Sequence, residues 1–299
     1  MEKRLVNVQA ITHIHTIEIL DRESDINMLK DVVGVNSTRN STYKHIKHIF
    51  NPSKYLRFLI SDINTFKNTV NFMVNDSNIQ SCKLNRVDVT TDLDINLKEN
   101  LGLLDLVYRC LCRSEQNDDN TYRDNEYIDR DTKEKLGFLF RKNKSLEIAI
   151  YDKIKQSDGK EHLTPFDKIT RIEIRFKQTK SKNGVDYYLN QVIKKFKIAH
   201  ENFSIVEDDI IKLLKKLLKE TRDKTHGINL CNFICMYNDL FLTKRILKEI
   251  YLLFDYSETA FNQWISSNKS NIPIVLYKKN DVEKINKKII ASLKLYSKN

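Results

Sequence analysis

Three segments of the chain alternate between apolar and polar residues, a period of two that predicts β-strands with one face toward a core. In each segment the aliphatic residues fall on one side and most of the charged residues fall on the other. The segments are RVDVTTDLD (86–94), LEIAIYDKIK (146–155) and TRIEIRFKQ (170–178). If these strands are neighbours in one sheet, one face is a hydrophobic core and the other gathers carboxylates, arginines and a tyrosine.

The polar face is the part of this prediction that bears on function. Its members are Arg86, Asp88, Thr90, Asp92, Glu147, Tyr151, Arg171, Glu173 and Arg175. An antiparallel sheet with one solvated face produces the same alternation, so the pattern alone leaves both interpretations open.

The last third of the chain changes to a helical period. The segment SIVEDDIIKLLKKLLKE (204–220) carries its aliphatic residues on one stripe, and Ser204 and Glu207 have the spacing of a capping box. The further elements predicted here are helices over 239–254, over 257–267 and from Asn280, and one strand at IPIVLYKK (272–279).

These patterns predict an α+β fold with two parts. An N-terminal domain (1–200) would contain an antiparallel sheet that carries the candidate catalytic residues on one face. A mostly helical region (201–299) would follow as a winged-helix-like DNA-binding unit, a plain bundle or a dimerisation unit. Residues 114–135 are polar and almost without aliphatic residues, which predicts an exposed loop.

Charge narrows the class of partner. The 299 residues carry a net charge of +11, which favours an anionic partner such as nucleic acid, a membrane surface or an acidic protein. A lysine-rich codon bias would give the same charge. The five cysteines form neither a disulfide framework nor a paired zinc motif, and nothing resembles a signal peptide or a membrane span. We therefore expect a cytoplasmic protein with no membrane partner.

The residue types on the polar face point to one kind of chemistry. Asp88, Asp92 and Glu173 supply hard oxygen ligands suited to Mg²⁺ or Mn²⁺. A tyrosine hydroxyl has a free pKa of about 10 and needs a metal, a base or a nearby cation to become a nucleophile. Carboxylates, arginines and Tyr151 together are the groups required for phosphodiester transesterification.

The three motifs, in this order, resemble those of plasmid rolling-circle replication initiators of the Rep-trans type and the related phage gene II/X-like replication proteins. FNPSKYL (50–56) and VDYYLN (185–190) are similar to accessory motifs of the same family. The resemblance covers roughly residues 40 to 195. The family's aromatic-Gly-x-Arg stretch has only a partial counterpart in KLGFLFRKNKS (135–145), which puts the substrate contacts of that loop in doubt.

The resemblance implies a reaction and a role for individual residues. Tyr151 would nick one strand at an origin, leaving a 5′-phosphotyrosyl link and a 3′-OH primer. Asp88 and Glu173 would hold the metal, and Asp92 fits as a further ligand. Lys153 and Arg171 would lie near the scissile phosphate. The partners implied are origin DNA with a single-stranded or extruded nick site, a second copy of the chain and a host helicase.

Cations outside the catalytic set are candidate DNA contacts. They are Arg86, Arg141, Arg175, Lys194, Lys195 and Lys197. The three lysines belong to the run IKKFK (193–197), for which a solvated helix face is the alternative interpretation.

Two other functions fit part of the sequence. His13 and His15 form a His-hydrophobic-His element, the metal-binding signature of HUH endonucleases, in which Tyr187 or Tyr188 could be the nucleophile. A sequence-specific DNA-binding protein without catalysis is the second alternative. The three carboxylates argue against it because a binder has no need of a hard-metal site.

Overall fold

A computed structural model of the chain describes residues 8–21, 35–40, 45–50, 82–115, 122–128, 135–142, 144–157, 166–177, 184–225, 227–268, 271–272 and 274–298. Most of FNPSKYL lies outside these residues, whereas VDYYLN opens a helix.

The strands of the described residues form one antiparallel eight-stranded sheet in the order β2-β3-β1-β4-β8-β7-β6-β5. The three strands predicted from alternation are β4, β7 and β8, and they lie side by side in the middle of the sheet. The bounds are β1 Ala10–Asp21, β2 Val35–Asn40, β3 His45–Phe50, β4 Cys82–Leu93, β5 Tyr122–Ile128, β6 Lys135–Lys142, β7 Leu146–Asp152 and β8 Thr170–Lys177.

Both faces of the central strands are buried. On the apolar face Val87, Ile148 and Ile174 have at most 1% of their surface exposed, as the alternation predicts. On the polar face Asp88 and Asp92 are fully buried. The interpretation of this face as a solvated side of the sheet is therefore wrong, because a solvated face would leave its carboxylates in water.

The helices are concentrated after residue 184, so the predicted α+β fold class, with a sheet followed by a mostly helical region, is confirmed. Their bounds are α1 Leu101–Arg113, α2 Lys153–Ser157, α3 Val185–Ala199, α4 Phe203–Thr225, α5 Leu230–Met236, α6 Lys244–Leu252, α7 Phe261–Asn268 and α8 Lys279–Lys298. Short 3₁₀ turns lie at Lys98–Asn100, His200–Asn202, Asn238–Leu240 and Glu258–Ala260. Among the described residues, no helix is both long enough and apolar enough to cross a membrane.

The chain divides into two compact units. The first contains the sheet and takes the described residues up to Glu99, then Glu115–Lys197 and those from Asn286 onward. The second contains Asn100–Ser114 and Ile198–Ile285, so α1 belongs with the later helices although it lies between two strands in sequence. The assignment of catalysis to residues 1–200 and of DNA binding or dimerisation to residues 201–299 stays a prediction.

Two local predictions, the cap of the helix after residue 203 and the loop over 114–135, differ from the structure. Helix α4 begins at Phe203, directly after a 3₁₀ turn, so Ser204 does not cap it. Glu207 instead accepts a 2.6 Å hydrogen bond from Thr243 Oγ1. The polar segment 114–135 contains β5, whose partner β6 supplies the pairing that its own sequence does not signal.

The segment IPIVLYKK forms a single bridge rather than a strand. Tyr277 pairs with Thr243 in parallel, and the described residues around them add no further pairing. A winged-helix unit needs a hairpin as its wing, and the described part of this region contains none.

Candidate active site on the sheet

Cross-strand register brings the predicted residues into adjacent rows on one face. Arg171 of β8 lies between Asp92 of β4 and Tyr151 of β7, and Tyr151 pairs in turn with Gly137 of β6. Directly paired residues point to the same face of a sheet, so these side chains form one row across four strands.

The next two rows complete the face. In the middle row, His13 of β1 pairs with Thr90, and Thr90 pairs with Glu173. In the third row, Asp88 pairs with Arg175, which pairs with Glu147. The structure thus brings together Tyr151, all three predicted carboxylates, Arg171 and Arg175.

Tyr151 is buried and hydrogen-bonded. Its hydroxyl donates to Glu173 Oε2 at 3.0 Å, and its side chain is 5% exposed, in a cluster with Leu139 and Ala149. Burial, followed by the negative charge of Glu173, raises the pKa of Tyr151 above its usual value, while Arg171 and Arg175 oppose that rise. The phenol is therefore protonated at neutral pH.

Gly137 permits the close approach of β6 to Tyr151. Its φ of +154° lies in the region that favours glycine, and a Cβ there would lie 2.1 Å from the Ile150 carbonyl oxygen and 2.7 Å from Tyr151 Cα. The glycine of KLGFLFRKNKS is thus a packing requirement of the candidate nucleophile.

A β-bulge adds a histidine to this face. The β1–β4 register shifts between Ile14 and Thr16, so His15 is the extra residue on β1. Its ring nitrogen and one carboxylate oxygen each of Asp88 and Glu173 all lie within 4.8 Å of one another. The distance from His15 Nδ1 to Glu173 Oε1 is 3.6 Å. The sequence contains the His-hydrophobic-His signal, but only the bulge shows which histidine joins the carboxylates.

The protonation states of the three groups suit metal ligation at neutral pH. Burial lowers the pKa of His15 to about 3, so its imidazole is neutral. Burial alone would raise the pKa of Glu173, but the charge of Arg175 and its hydrogen bond lower it to about 2. Burial raises the pKa of Asp88 to about 6 despite its hydrogen bonds from Arg86. A metal needs neutral histidine and ionised carboxylates, which are the dominant forms here.

The surroundings of the three groups also fit a divalent cation. Two buried polar atoms in the adjacent row, His13 Nε2 and Thr90 Oγ1, have no hydrogen-bond partner among the described residues. One imidazole and two carboxylates suit Mn²⁺, while Mg²⁺ would use mainly the oxygens and bound water.

Asp92 lies outside this ligand group. Both its oxygens accept hydrogen bonds from Arg171, at 2.6 Å and 2.8 Å, and the two side chains are 0% and 3% exposed. Burial would raise the pKa of Asp92, but the hydrogen bond from Arg171 and the charges of His13 and Arg171 together outweigh it, and the pKa falls. Asp92 fixes Arg171 next to Tyr151, and its role as a metal ligand stays a prediction.

Lys153, the remaining cation predicted to act in catalysis, follows β7 directly at the start of α2. Its ammonium donates a 2.8 Å hydrogen bond to Gln156, and its charge contributes to the lowered pKa of both His13 and His15. Lys153 therefore acts electrostatically on this face.

The three arginines predicted to contact DNA are paired with carboxylates. Arg86 donates to both oxygens of Asp88, at 2.7 Å and 2.6 Å. Arg175 bridges Glu147 and Glu173, at 3.1 Å and 2.7 Å. Arg141, nearly half exposed, donates to Glu147 at 3.2 Å. These ion pairs hold the side chains of the polar face together. Contact of the three arginines with DNA stays a prediction.

Helix α3 carries the predicted lysines and the alternative tyrosines. Lys194 and Lys197 are exposed, whereas Lys195 pairs with Glu115. Tyr188 is buried against Phe176, 5.0 Å between ring centroids, on the face of the sheet opposite the histidines. An HUH-type site with Tyr188 as nucleophile would need both on the same face, so this geometry opposes it.

Similarity to known proteins is found at the level of structure. No protein-family model matches the chain, and no curated protein matches it. A solved structure of a rolling circle replication initiator protein from Geobacillus stearothermophilus is 11% identical, covers 69% of this chain and 84% of its own, and has a TM-score of 0.35. A similarity with this identity and TM-score does not support a functional argument. The function of this chain is therefore inferred from its own residues.

Proposed function

We propose that this protein initiates rolling-circle replication by nicking one DNA strand through Tyr151, with a divalent metal held by His15, Asp88 and Glu173. The observation that carries the proposal is the 3.0 Å hydrogen bond from the Tyr151 hydroxyl to Glu173, a member of the ligand group. The motif series in the sequence supplies the substrate class, and the geometry supports the residue roles.

Glu173 and Arg171 contribute in different ways to the activation of the Tyr151 phenol. Glu173 Oε2 accepts the hydrogen bond of Tyr151 and orients its hydroxyl. Arg171, held by Asp92, places positive charge beside the oxygen that becomes a phenolate. A divalent ion in this site would neutralise developing charge on the phosphoryl oxygens. The charges of Arg171 and Arg175 already favour the phenolate, against burial and Glu173.

The reaction exchanges one phosphodiester bond for another. The phenol proton is released to water as the Tyr151 oxygen forms a bond to phosphorus, and the bond from phosphorus to the 3′-oxygen of the preceding nucleotide breaks. That oxygen takes up a proton and becomes the 3′-OH primer. The strand can be rejoined by reversal because the phosphotyrosyl link preserves the bond energy.

The burial of Tyr151 restricts the substrate. A hydroxyl on a side chain that is 5% exposed cannot meet the backbone of an intact duplex, so the nick site must be single-stranded or extruded and must enter this face. Origin DNA, a second copy of the chain and a host helicase are the partners included in the proposal.

Covalent capture of single-stranded DNA tests the proposal without knowledge of the origin. The wild-type chain is incubated with Mn²⁺ and a 3′-labelled pool of random-sequence single strands, and protein-linked DNA is isolated under denaturing conditions and sequenced. We expect an adduct enriched in one sequence. Tyr151→Phe should abolish it, and Tyr187→Phe, which changes an exposed tyrosine of α3, should preserve it.

The same experiment separates catalysis from binding alone. The burial of Tyr151 is the observation that favours a DNA-binding protein without catalysis. An adduct that persists in Tyr151→Phe would show that another residue is the nucleophile. No adduct with the wild-type chain would support the non-catalytic alternative.

A further inference from the structure

In the helical unit, α6 and α7 are joined by the eight residues 253–260, which begin with a tight turn. Leu253, Phe254 and Asp255 each donate a backbone hydrogen bond to the carbonyl three residues earlier, at 3.0 to 3.2 Å. Asp255 then takes φ of +61°, a left-handed conformation that reverses the chain direction at a helix end. After two more residues the 3₁₀ turn Glu258–Ala260 leads directly into α7.

An aromatic cluster fixes the second helix on the first. Tyr251 of α6 is 1% exposed, and its ring centroid lies 5.1 Å from that of Phe261 and 5.2 Å from that of Trp264, both on α7. Tyr256 in the turn stacks on the same ring at 4.9 Å. The inner face of α7 is thus anchored by large rings, which determines the face it presents outward.

Helix α4 supports the turn from outside this pair. Arg222 donates a 2.9 Å hydrogen bond to the Leu253 carbonyl, and its guanidinium lies 5.0 Å from the centroid of the Phe254 ring. Helices α4 and α6 also pack against each other. The eight residues 253–260 join the last two helices, more than the three or four of the standard motif, and the three helices together give a helix-turn-helix arrangement with an extended turn.

The outward face of α7 is polar and carries no charge. Asn262, Gln263 and Ser266 are exposed on it, and the helix contains no ionisable side chain. Asparagine and glutamine amides donate and accept together, so they can pair with the edge of an adenine in the major groove. A solvated helix of this highly charged chain would be expected to carry lysine or glutamate here.

Three exposed lysines of the helical unit are candidate phosphate contacts. The bridge between Thr243 and Tyr277 places Lys244, the first residue of α6, beside Lys278, and both lysines are exposed. Lys279 follows and is also exposed. In helix-turn-helix proteins the first helix of the pair meets the DNA backbone while the second enters the groove.

We propose that α6 and α7 form a helix-turn-helix that recognises a specific duplex sequence, with Asn262, Gln263 and Ser266 directed at base edges in the major groove. Lys244, Lys278 and Lys279 contact the flanking phosphates. DNA as the partner rests on the proposed function together with these lysines, whereas duplex binding itself requires neither Tyr151 nor a metal ion.

Selection from a duplex pool tests the inference independently of nicking. The full-length Tyr151→Phe protein, in EDTA, is presented with 40-base-pair duplexes in which 20 central pairs are randomised. We expect one enriched sequence. Asn262→Ala/Gln263→Ala should weaken binding to it at least about tenfold, since a bidentate contact contributes about 1–3 kcal/mol of discrimination. Asn238→Ala, which changes an exposed residue of a 3₁₀ turn, is the matched control and should bind as before.

Two further variants separate base contact from structural damage. Gln263→Arg, used in a fresh selection, should change the enriched sequence toward guanine at one position, which a structural role would not do. Lys278→Ala should weaken binding to all duplexes alike and reduce the salt dependence by about one phosphate contact. Thermal unfolding checks that each variant is folded.

Each other outcome overturns the inference. No enriched sequence excludes specific duplex recognition, and equal binding by Asn262→Ala/Gln263→Ala, or an unchanged selection with Gln263→Arg, excludes α7 as the reader. Equal loss in the control Asn238→Ala also excludes a specific role for α7. If the duplex selection fails while the single-strand capture still yields its adduct, only this inference is overturned and the proposed nicking function is unaffected.

Discussion

The hydroxyl of Tyr151 lies 3.0 Å from Oε2 of Glu173, and Glu173 belongs to the group of ligand atoms that also includes Asp88 and His15. Tyr151 pairs with Arg171 and Glu173 pairs with Ala149, so the hydrogen bond runs diagonally between adjacent strands. The candidate nucleophile and the candidate metal site therefore share one carboxylate. Replacing Glu173 would disturb both, whereas replacing His15 changes the metal site and leaves the hydrogen bond of Tyr151 in place.

His15→Ala should weaken Mn²⁺ binding at least about tenfold, because the nitrogen ligand is lost while Tyr151 keeps its hydrogen bond. Isothermal titration calorimetry on the full chain gives the affinity. His200→Ala, which changes a half-exposed histidine in a 3₁₀ turn, should leave the affinity unchanged. Equal Mn²⁺ affinity in His15→Ala and wild type would remove His15 from the ligand group.

Asp88→Asn should stabilise the metal-free protein at pH 7. Burial raises the folded pKa of Asp88 to about 6 from 3.8, so the folded state takes up a proton before the unfolded state does. The contribution to the free energy of unfolding is therefore present below pH 3.8 and is lost as the pH rises to about 6. Asparagine stays neutral, and Arg86, whose side chain is 29% exposed, can be solvated without its partner.

The expected gain for Asp88→Asn is about 1–3 kcal/mol at pH 7, shrinking toward zero at pH 4. Urea unfolding in EDTA at both pH values measures it. Asp94→Asn changes an exposed carboxylate six residues along the chain and should show no such difference. A constant difference between Asp88→Asn and wild type at the two pH values would contradict the explanation.

Arg171→Met should lower the free energy of unfolding by about 3–5 kcal/mol, because it leaves the buried carboxylate of Asp92 without its bidentate partner. The double variant Arg171→Met/Asp92→Leu removes both charges and should recover most of this loss. Denaturant unfolding of the wild type and the three variants, including Asp92→Leu alone, gives the coupling free energy. Additive losses would mean that the two side chains do not stabilise the fold as a pair.

Gly137→Ala should destabilise the protein and reduce adduct formation by Tyr151, because the new Cβ would meet the Ile150 carbonyl and displace the tyrosine. Gly227 offers a matched control, since its φ of +148° is similar and nothing lies within 4 Å of the Cβ that would be added. Gly227→Ala therefore reports backbone strain alone, about 1–3 kcal/mol. We expect a larger loss in denaturant unfolding for Gly137→Ala, and losses of equal size would contradict the steric explanation.

Alternation alone predicted the central strands and the face on which each residue lies. The period of two is a local property: once Val87, Ile148 and Ile174 point into a core, Asp88, Glu147 and Glu173 must point the other way. The helical period after residue 204 was equally local, and it was sufficient for the confirmed α+β fold class. Those inferences needed no knowledge of which strands are neighbours.

Only the tertiary structure decided how the polar face is assembled. The pairing of β4 with β8 places Asp92 opposite Arg171, and the buried arginine binds this carboxylate. Asp88 and Glu173 therefore remain as the two carboxylates of the ligand group. The bulge in β1 adds His15, since one inserted residue changes which side chain faces the carboxylates. Burial of both faces depends on elements far apart in sequence, and local periodicity carries no information about it.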